Sequence, residues 1–202
     1  MTTAIWMTCA KRAWCIDMHV FVSGGAKNGK SSFAQAWAVR TAEEKGLPLY
    51  YVATMRVHDR EDAARVRRHV EDRKGLGFTT LEQGEEISSL PLRYGAQAVY
   101  LVDSVTALLA NVMFPEKSSQ DPAWRPEAAG RLVADDLIAF GRRTDYAIFV
   151  SDYLYSDARR FDPMTSAYIR SLSLCDRKLA AFCDSVYEVR TGIPLLWKGG
   201  PA

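Results

Sequence analysis

The chain encodes an α/β fold: a doubly wound, mostly parallel sheet with a C-terminal antiparallel hairpin. Three observations predict it. Short apolar runs bounded by turn residues alternate with segments of helical period from end to end, the pattern of a sheet covered on both faces. A glycine-rich loop, Gly24 to Ser31, joins the first apolar run directly to the first helical one. Two strand-like runs at the C-terminus, 185–190 and 193–197, are separated only by Thr191-Gly192, as in a closing hairpin. At 202 residues this is most simply one domain.

The elements follow in order. Met18 to Ser23 is an apolar run that reads as a buried strand, and Ser32 to Val39 begins a helix. Leu49-Tyr50-Tyr51-Val52-Ala53, aromatic and β-branched, reads as a second strand. The charges of 60–73, with Ala63, Ala64, Val66 and Val70 at helical spacing, predict an exposed helix. Phe78 to Leu81 is a short edge strand. Ala98 to Asp103 is an apolar strand ending in a carboxylate, followed by a helix over 104–114. Three prolines make 115–126 a loop. A helix over 127–143, a strand over 146–151 and a long helix over 165–183 lead into the hairpin.

The first 17 residues fit poorly before a first strand. Lys11, Arg12 and Asp17 interrupt the apolar stretch that a secretory peptide needs. They read as an N-terminal extension, with the domain spanning 18–202 and Met18 as an alternative start.

Composition narrows the function. Hydrophobic residues make up 48% of the chain and charged residues 25%, ordinary for a globular protein. A net charge of +2, with scattered Lys and Arg, argues against a nucleic-acid surface. No run of about 18 apolar residues exists, so no membrane span is expected. Cys9, Cys15, Cys175 and Cys183 form no C-x-x-C pair or zinc-like spacing. They read as reduced thiols of a cytoplasmic protein.

Gly24-Gly25-Ala26-Lys27-Asn28-Gly29-Lys30-Ser31 fits G-x-x-x-x-G-K-[ST], in the strand–loop–helix context that this phosphate-binding pattern requires. Its glycines let successive N–H groups turn toward phosphate oxygens, and the helix N-terminus adds positive potential. Lys30 is then the cation for the β- and γ-phosphates and Ser31 a Mg²⁺ ligand. The fold is therefore P-loop NTPase-like and its ligand a nucleoside triphosphate. Asp103, closing a strand downstream, reads as the carboxylate that holds Mg²⁺ opposite Ser31. The other reading is a helix cap, because a helix begins at Ser104.

His69 has Arg65 one turn before it and Arg73 one turn after, and residues four apart share a helix face. Histidine can serve as a covalent nucleophile, and the arginines can bind phosphate. A solvated basic face is the plainer reading of the same residues.

The phosphate loop, the stretch Tyr51-Val52-Ala53-Thr54 and the pattern Arg65-Val66-x-x-His69-x-x-x-Arg73 together resemble the adenosylcobinamide kinase / adenosylcobinamide-phosphate guanylyltransferase family. Phe78, Thr80 and Glu82 resemble that family's W-x-T-x-E stretch, displaced by one residue. Val102 to Thr106, Asn111 and Phe114 match its next strand and helix. The resemblance covers most of the chain from Met18 onward.

It implies that His69 accepts GMP from GTP and that Gly24 through Ser31 hold the triphosphate. It also implies that Ala53, Thr54, Met55, Val70, Glu71, Asp72 and Arg73 line the GTP site, and that Glu82 and Asp103 contact guanosine or metal. The implied reactions are phosphorylation of adenosylcobinamide, using ATP or GTP, and GMP transfer onto the product. The implied assembly is a homotrimer. The chain departs from the family twice: Ser151-Asp152-Tyr153-Leu154-Tyr155 stands where T-N-E-V-G is usual, and Ser173 to Leu179 where a G-R-V-N-Q-R-L-like helix is usual. By the resemblance, the nucleotide half is kept better than the acceptor half. A P-loop kinase of another small metabolite, or a nucleotide-binding protein with a lost acceptor site, are the competing readings.

Overall fold

A computed structural model describes residues 19–57, 59–115, 126–154 and 161–199, with the backbone alone for Glu61, Asp62, Arg65, Asp72, Pro126 and Glu127. The N-terminal extension, Cys9, Cys15, most of the proline loop and Tyr155 lie outside the described residues.

Seven strands form one sheet in the order β3-β2-β4-β5-β1-β6-β7. They are β1 (His19–Gly24), β2 (Leu49–Ala53), β3 (Thr79–Glu82), β4 (Val99–Asp103), β5 (Tyr146–Asp152), β6 (Ser185–Arg190) and β7 (Ile193–Lys198). The first six are parallel and β7 is antiparallel to β6. The hairpin turns at Thr191 (φ 47°) and Gly192 (φ 81°), two left-handed residues as a tight primed turn demands. The short third strand lies at the sheet edge as expected, one residue later than the run 78–81.

The helices are α1 (Lys30–Lys45), α2 (Arg60–Asp72), α3 (Leu90–Tyr94), α4 (Val105–Met113), α5 (Pro126–Gly141) and α6 (Pro163–Phe182). Helix α1 covers one face, where Val20, Val22, Val99, Leu101, Ile148 and Val150 pack on Ala34, Trp37, Ala38 and Ala42. Helices α4, α5 and α6 cover the other through Phe21, Val102, Phe149, Leu108, Leu137 and Leu172. The sheet is doubly wound, with both faces buried, which explains the nearly unbroken apolar strands. Helix α2 differs: among the described residues it makes no extended packing with another element.

A 3₁₀ turn at Ile87–Ser89 and the short α3 were not legible from periodicity. The turn is held by a distant carboxylate, since the amides of Ile87 and Ser88 donate to Asp136 (2.8 and 3.1 Å). Cys175 and Cys183 are buried free thiols. Burial, then the nearby Asp176, pushes the Cys175 thiol up to about 12, so it stays protonated and unreactive.

Candidate nucleotide site at the carboxyl edge of the sheet

The loop between β1 and α1 has the backbone its sequence predicts. Lys27 (φ 59°) and Gly29 (φ 86°) are left-handed, and Gly29 occupies the helix N-cap position without any side-chain cap. The first amides of α1 are therefore left for an anion. Gly24 is glycine for a packing reason: a Cβ there would meet the Val189 carbonyl oxygen at 2.6 Å. Asn28 ties the loop to the hairpin turn, its carbonyl accepting from Gly192 N (3.0 Å). Ala26 and Lys27 are exposed, Ser31 is half-buried, and Lys30 is buried.

The Lys30 ammonium lies 2.5 Å from Asp152 Oδ1 and 3.4 Å from the Gly25 carbonyl oxygen. Asp152 ends β5, in register with Gly24 of β1. Its backbone N–H donates to Thr106 Oγ1 (3.0 Å), and the next amide, Tyr153 N, donates to the Gly24 carbonyl (2.9 Å). The sequence reading ended this strand one residue early and missed Asp152 as a site residue. The available signal was the one that marked Asp103: an apolar strand closing on an acid.

Asp103 ends β4, beside Ala53 at the end of β2. Ala53 in turn pairs with Glu82, exposed at the end of β3. Strand alternation puts Asp103 and Asp152 on the α1 face, with Val150 and Leu101 beneath them. The structure does not bear out the helix-cap reading of Asp103. Ser104 is the cap of α4, its hydroxyl accepting from Ala107 N (3.2 Å), and Asp103 is left to accept from the Tyr51 hydroxyl (2.9 Å).

Thr54 is fully buried and fastens the ends of β2 and β4. Its hydroxyl donates to the Ser104 carbonyl (2.7 Å) and accepts from Ser104 N (2.8 Å). Buried Asn111 donates to the carbonyls of Thr54 (2.7 Å) and Gly84 (2.8 Å), fixing the segment that precedes Met55.

Helix α2 carries His69, half-buried, beside exposed Val70 and Glu71. The side chains of Arg65 and Asp72 are outside the description. Arg73 departs from the expected line of arginines on one face. The helix ends at Asp72, and Arg73 turns inward with its guanidinium 3.5 Å from the Tyr51 ring centroid. There Arg73 is buried, and its Nη1 has no hydrogen-bond partner among the described residues. A cavity of about 530 Å³ opens beside it, lined by Val70, Arg73, Lys74, Gly77, Phe78 and Thr80. His69 is one turn from this contact. The phosphate loop lies on β1, three strands from β2, a lateral separation of roughly 14 Å at about 4.8 Å per strand. The two strands that carry the halves of the predicted site thus lie three strands apart in one sheet.

Of the other histidines, His19 is buried and its Nε2–H donates to the Gly141 carbonyl (2.8 Å), a structural role, and His58 lies outside the described residues.

A family model described as cobinamide kinase / cobinamide phosphate guanyltransferase (CobU) matches residues 20–196. The chain belongs to the cobinamide kinase / cobinamide phosphate guanyltransferase family. Relatives agree. It is 28% identical over 186 residues to the bifunctional adenosylcobalamin biosynthesis protein CobP of Pseudomonas aeruginosa, covering 91% of this chain and 99% of that one. It is 26% identical to the protein of the same description, CobU, from Salmonella typhimurium, covering 87% and 97%. Against Escherichia coli CobU the match is 29% over 106 residues, 52% and 55% of the two chains. As a member of the cobinamide kinase / cobinamide phosphate guanyltransferase family, the chain has the P-loop-like α/β architecture its sequence predicts. No described helix is long and apolar enough to cross a membrane.

Proposed function

We propose that the chain phosphorylates adenosylcobinamide and then transfers GMP from GTP onto that phosphate through a covalent His69–GMP intermediate, in cobalamin biosynthesis. The observation that carries this reading is the extent of the family match: residues 20–196 include both the phosphate loop and α2.

In the first reaction the corrinoid hydroxyl oxygen bonds to the γ-phosphorus of ATP or GTP. The bond to the bridging oxygen breaks, and the nucleoside diphosphate leaves with the electron pair as the hydroxyl proton is lost. The loop amides and Lys30 stabilise the charge that shifts onto the leaving phosphates. In the second, an imidazole nitrogen of His69 bonds to the α-phosphorus of GTP and pyrophosphate departs. The corrinoid phosphate then displaces the imidazole and takes the GMP.

The buried, unpartnered Arg73 Nη1 at the cavity supports an anionic ligand there, since buried donors are nearly always paired. Val70, Glu71, Asp72 and Arg73 would line the guanylylation side, and Gly24 to Ser31 with Ala53, Thr54 and Met55 the triphosphate side. Glu82 at the neighbouring strand end would contact guanosine.

Ser31 and Asp103 supply the hard oxygen donors that Mg²⁺ prefers. No cluster of three acidic, His or Cys side chains that could hold a metal lies among the described residues. These two groups and the substrate phosphates would therefore hold the ion. When bound, Mg²⁺ neutralises charge on the β- and γ-phosphates. The working form is a cytoplasmic homotrimer, in line with the family resemblance.

The test is incubation with GTP labelled at the α-phosphate. The wild type should acquire an acid-labile, base-stable label, and His69→Ala should acquire none while still phosphorylating adenosylcobinamide. A label surviving in His69→Ala, or none in the wild type, overturns the covalent step. A plain metabolite kinase would leave the label on the free nucleotide.

A further inference from the structure

The phosphate-loop lysine already has a partner. Lys30 Nζ lies 2.5 Å from Asp152 Oδ1, with the lysine side chain 10% exposed and the aspartate 29% exposed. That contact uses the ammonium that the loop would direct at the β- and γ-phosphates. Asp152 is fixed from both sides of its peptide, by Thr106 Oγ1 on its own amide and by Gly24 O on the next. These bonds fix the backbone that carries the carboxylate at the rim of the loop. Asp103, on the same face, is engaged by the Tyr51 hydroxyl instead.

We infer that Asp152 is a positioning residue: an internal counter-ion that stands in for the triphosphate on Lys30 and must be exchanged for it on binding. A buried ammonium without a partner is costly, so the carboxylate stabilises the empty loop. The same contact opposes nucleotide, because β- and γ-phosphates reach Lys30 only by displacing one anion with another. Asp152 therefore sets triphosphate affinity through Lys30 and discriminates by phosphate number. A nucleoside monophosphate that never reaches Lys30 does not pay the exchange. The inference rests on the phosphate-loop reading above.

Calorimetric titration of the full chain with GTP, GDP and GMP tests it in wild type, Asp152→Asn and Asp152→Glu. Asp152→Asn should bind GTP about tenfold more tightly, the scale of one charge-assisted hydrogen bond. The gain should shrink with GDP and vanish with GMP. Asp152→Glu, which keeps the charge, should stay near wild type. In a Lys30→Gln background, Asp152→Asn should change nothing. If Asp152→Asn does not fold, Asp152→Ser takes its place in the same series.

Unchanged or weaker GTP binding in Asp152→Asn, with wild-type binding intact, overturns the counter-ion role alone. An equal gain for GMP also overturns it. A wild type that binds no triphosphate at all overturns the phosphate-loop reading and this inference with it.

Discussion

The Arg73 guanidinium stacks 3.5 Å from the centroid of the Tyr51 ring, whose hydroxyl donates to Asp103. This relay docks the end of α2 onto the sheet. It sets where the helix that carries His69 rejoins the core. Burial first, then the adjacent Asp103 carboxylate, holds the Tyr51 phenol above its ordinary range, so the hydroxyl remains a donor at any working pH.

Arg73→Lys and Tyr51→Phe separate the parts of the relay. Arg73→Lys loses the planar stack, worth about 2 kcal/mol where the cation is desolvated, so its unfolding midpoint should fall by several degrees. Guanylylation should fall with it. Tyr51→Phe keeps the ring but frees Asp103, and should lower stability by about 1 kcal/mol. Equal melting curves for wild type and Arg73→Lys would show that the stack carries no docking energy.

Asn111 makes a stability prediction of a different kind. Its amide serves two carbonyls on separate segments, Thr54 and Gly84, inside the core. Asn111→Leu keeps the volume but strands both acceptors, at a cost of about 2 to 4 kcal/mol. Denaturant unfolding should move its midpoint accordingly with an unchanged slope. A loss below about 1 kcal/mol would mean that water replaces the amide.

How far the sequence carried these features depends on the range of the interactions. Strand β2 and the hairpin were legible because their cues are local: β-branched and aromatic runs, and a Thr-Gly turn. The phosphate loop was legible because its chemistry is contiguous. The cap reading of Asp103 could not be excluded from sequence, since Ser104 and Asp103 are both good caps before a helix, and only the structure shows Ser104 taking that place. Helical period placed Arg73 on a face with His69, but a long-range ring, Tyr51, pulled it inward. Asp152 was read only as a departure from the family pattern, because its partner Lys30 lies 122 residues away along the chain.

Part of the alkaline loss of stability follows from Tyr100. This side chain is fully buried and donates to the Gly95 carbonyl (2.6 Å). Burial, then the neighbouring Tyr50 and Tyr94, pushes its phenol up to about 12 from 10.0. Above pH 10 the unfolded chain releases this proton and the folded chain keeps it, so stability is complete below pH 10 and falls as pH rises toward 12. Two units correspond to about 2 to 3 kcal/mol. Tyr100→Phe should start about 1 kcal/mol lower at pH 8 but decline less steeply between pH 10 and 12. Parallel pH profiles for the two proteins would assign the alkaline loss elsewhere.

Gly24 and Gly29 bracket the phosphate loop and should fail for different reasons. A Cβ at Gly24 would sit 2.6 Å from the Val189 carbonyl oxygen, part of the β6 backbone that pairs directly with β1. Gly24→Ala must therefore shift β1 against β6, costing about 1 to 3 kcal/mol and moving the loop relative to Asp152. At Gly29 the nearest atom to a new Cβ is the Gly192 Cα at 3.6 Å, an ordinary contact, so the penalty there is the positive φ alone, about 1 to 2 kcal/mol. The split is measurable. Gly29→Ala should bind GTP weakly because its backbone relaxes out of the turn that aims the α1 amides, and Gly29→Asn, which tolerates positive φ, should recover much of that binding. No such rescue exists for Gly24, where any side chain meets the same oxygen. If Gly24→Ala melts with the wild type, the close approach of β1 and β6 is not rigid, and the loop's position must be fixed from the Asn28–Gly192 side instead.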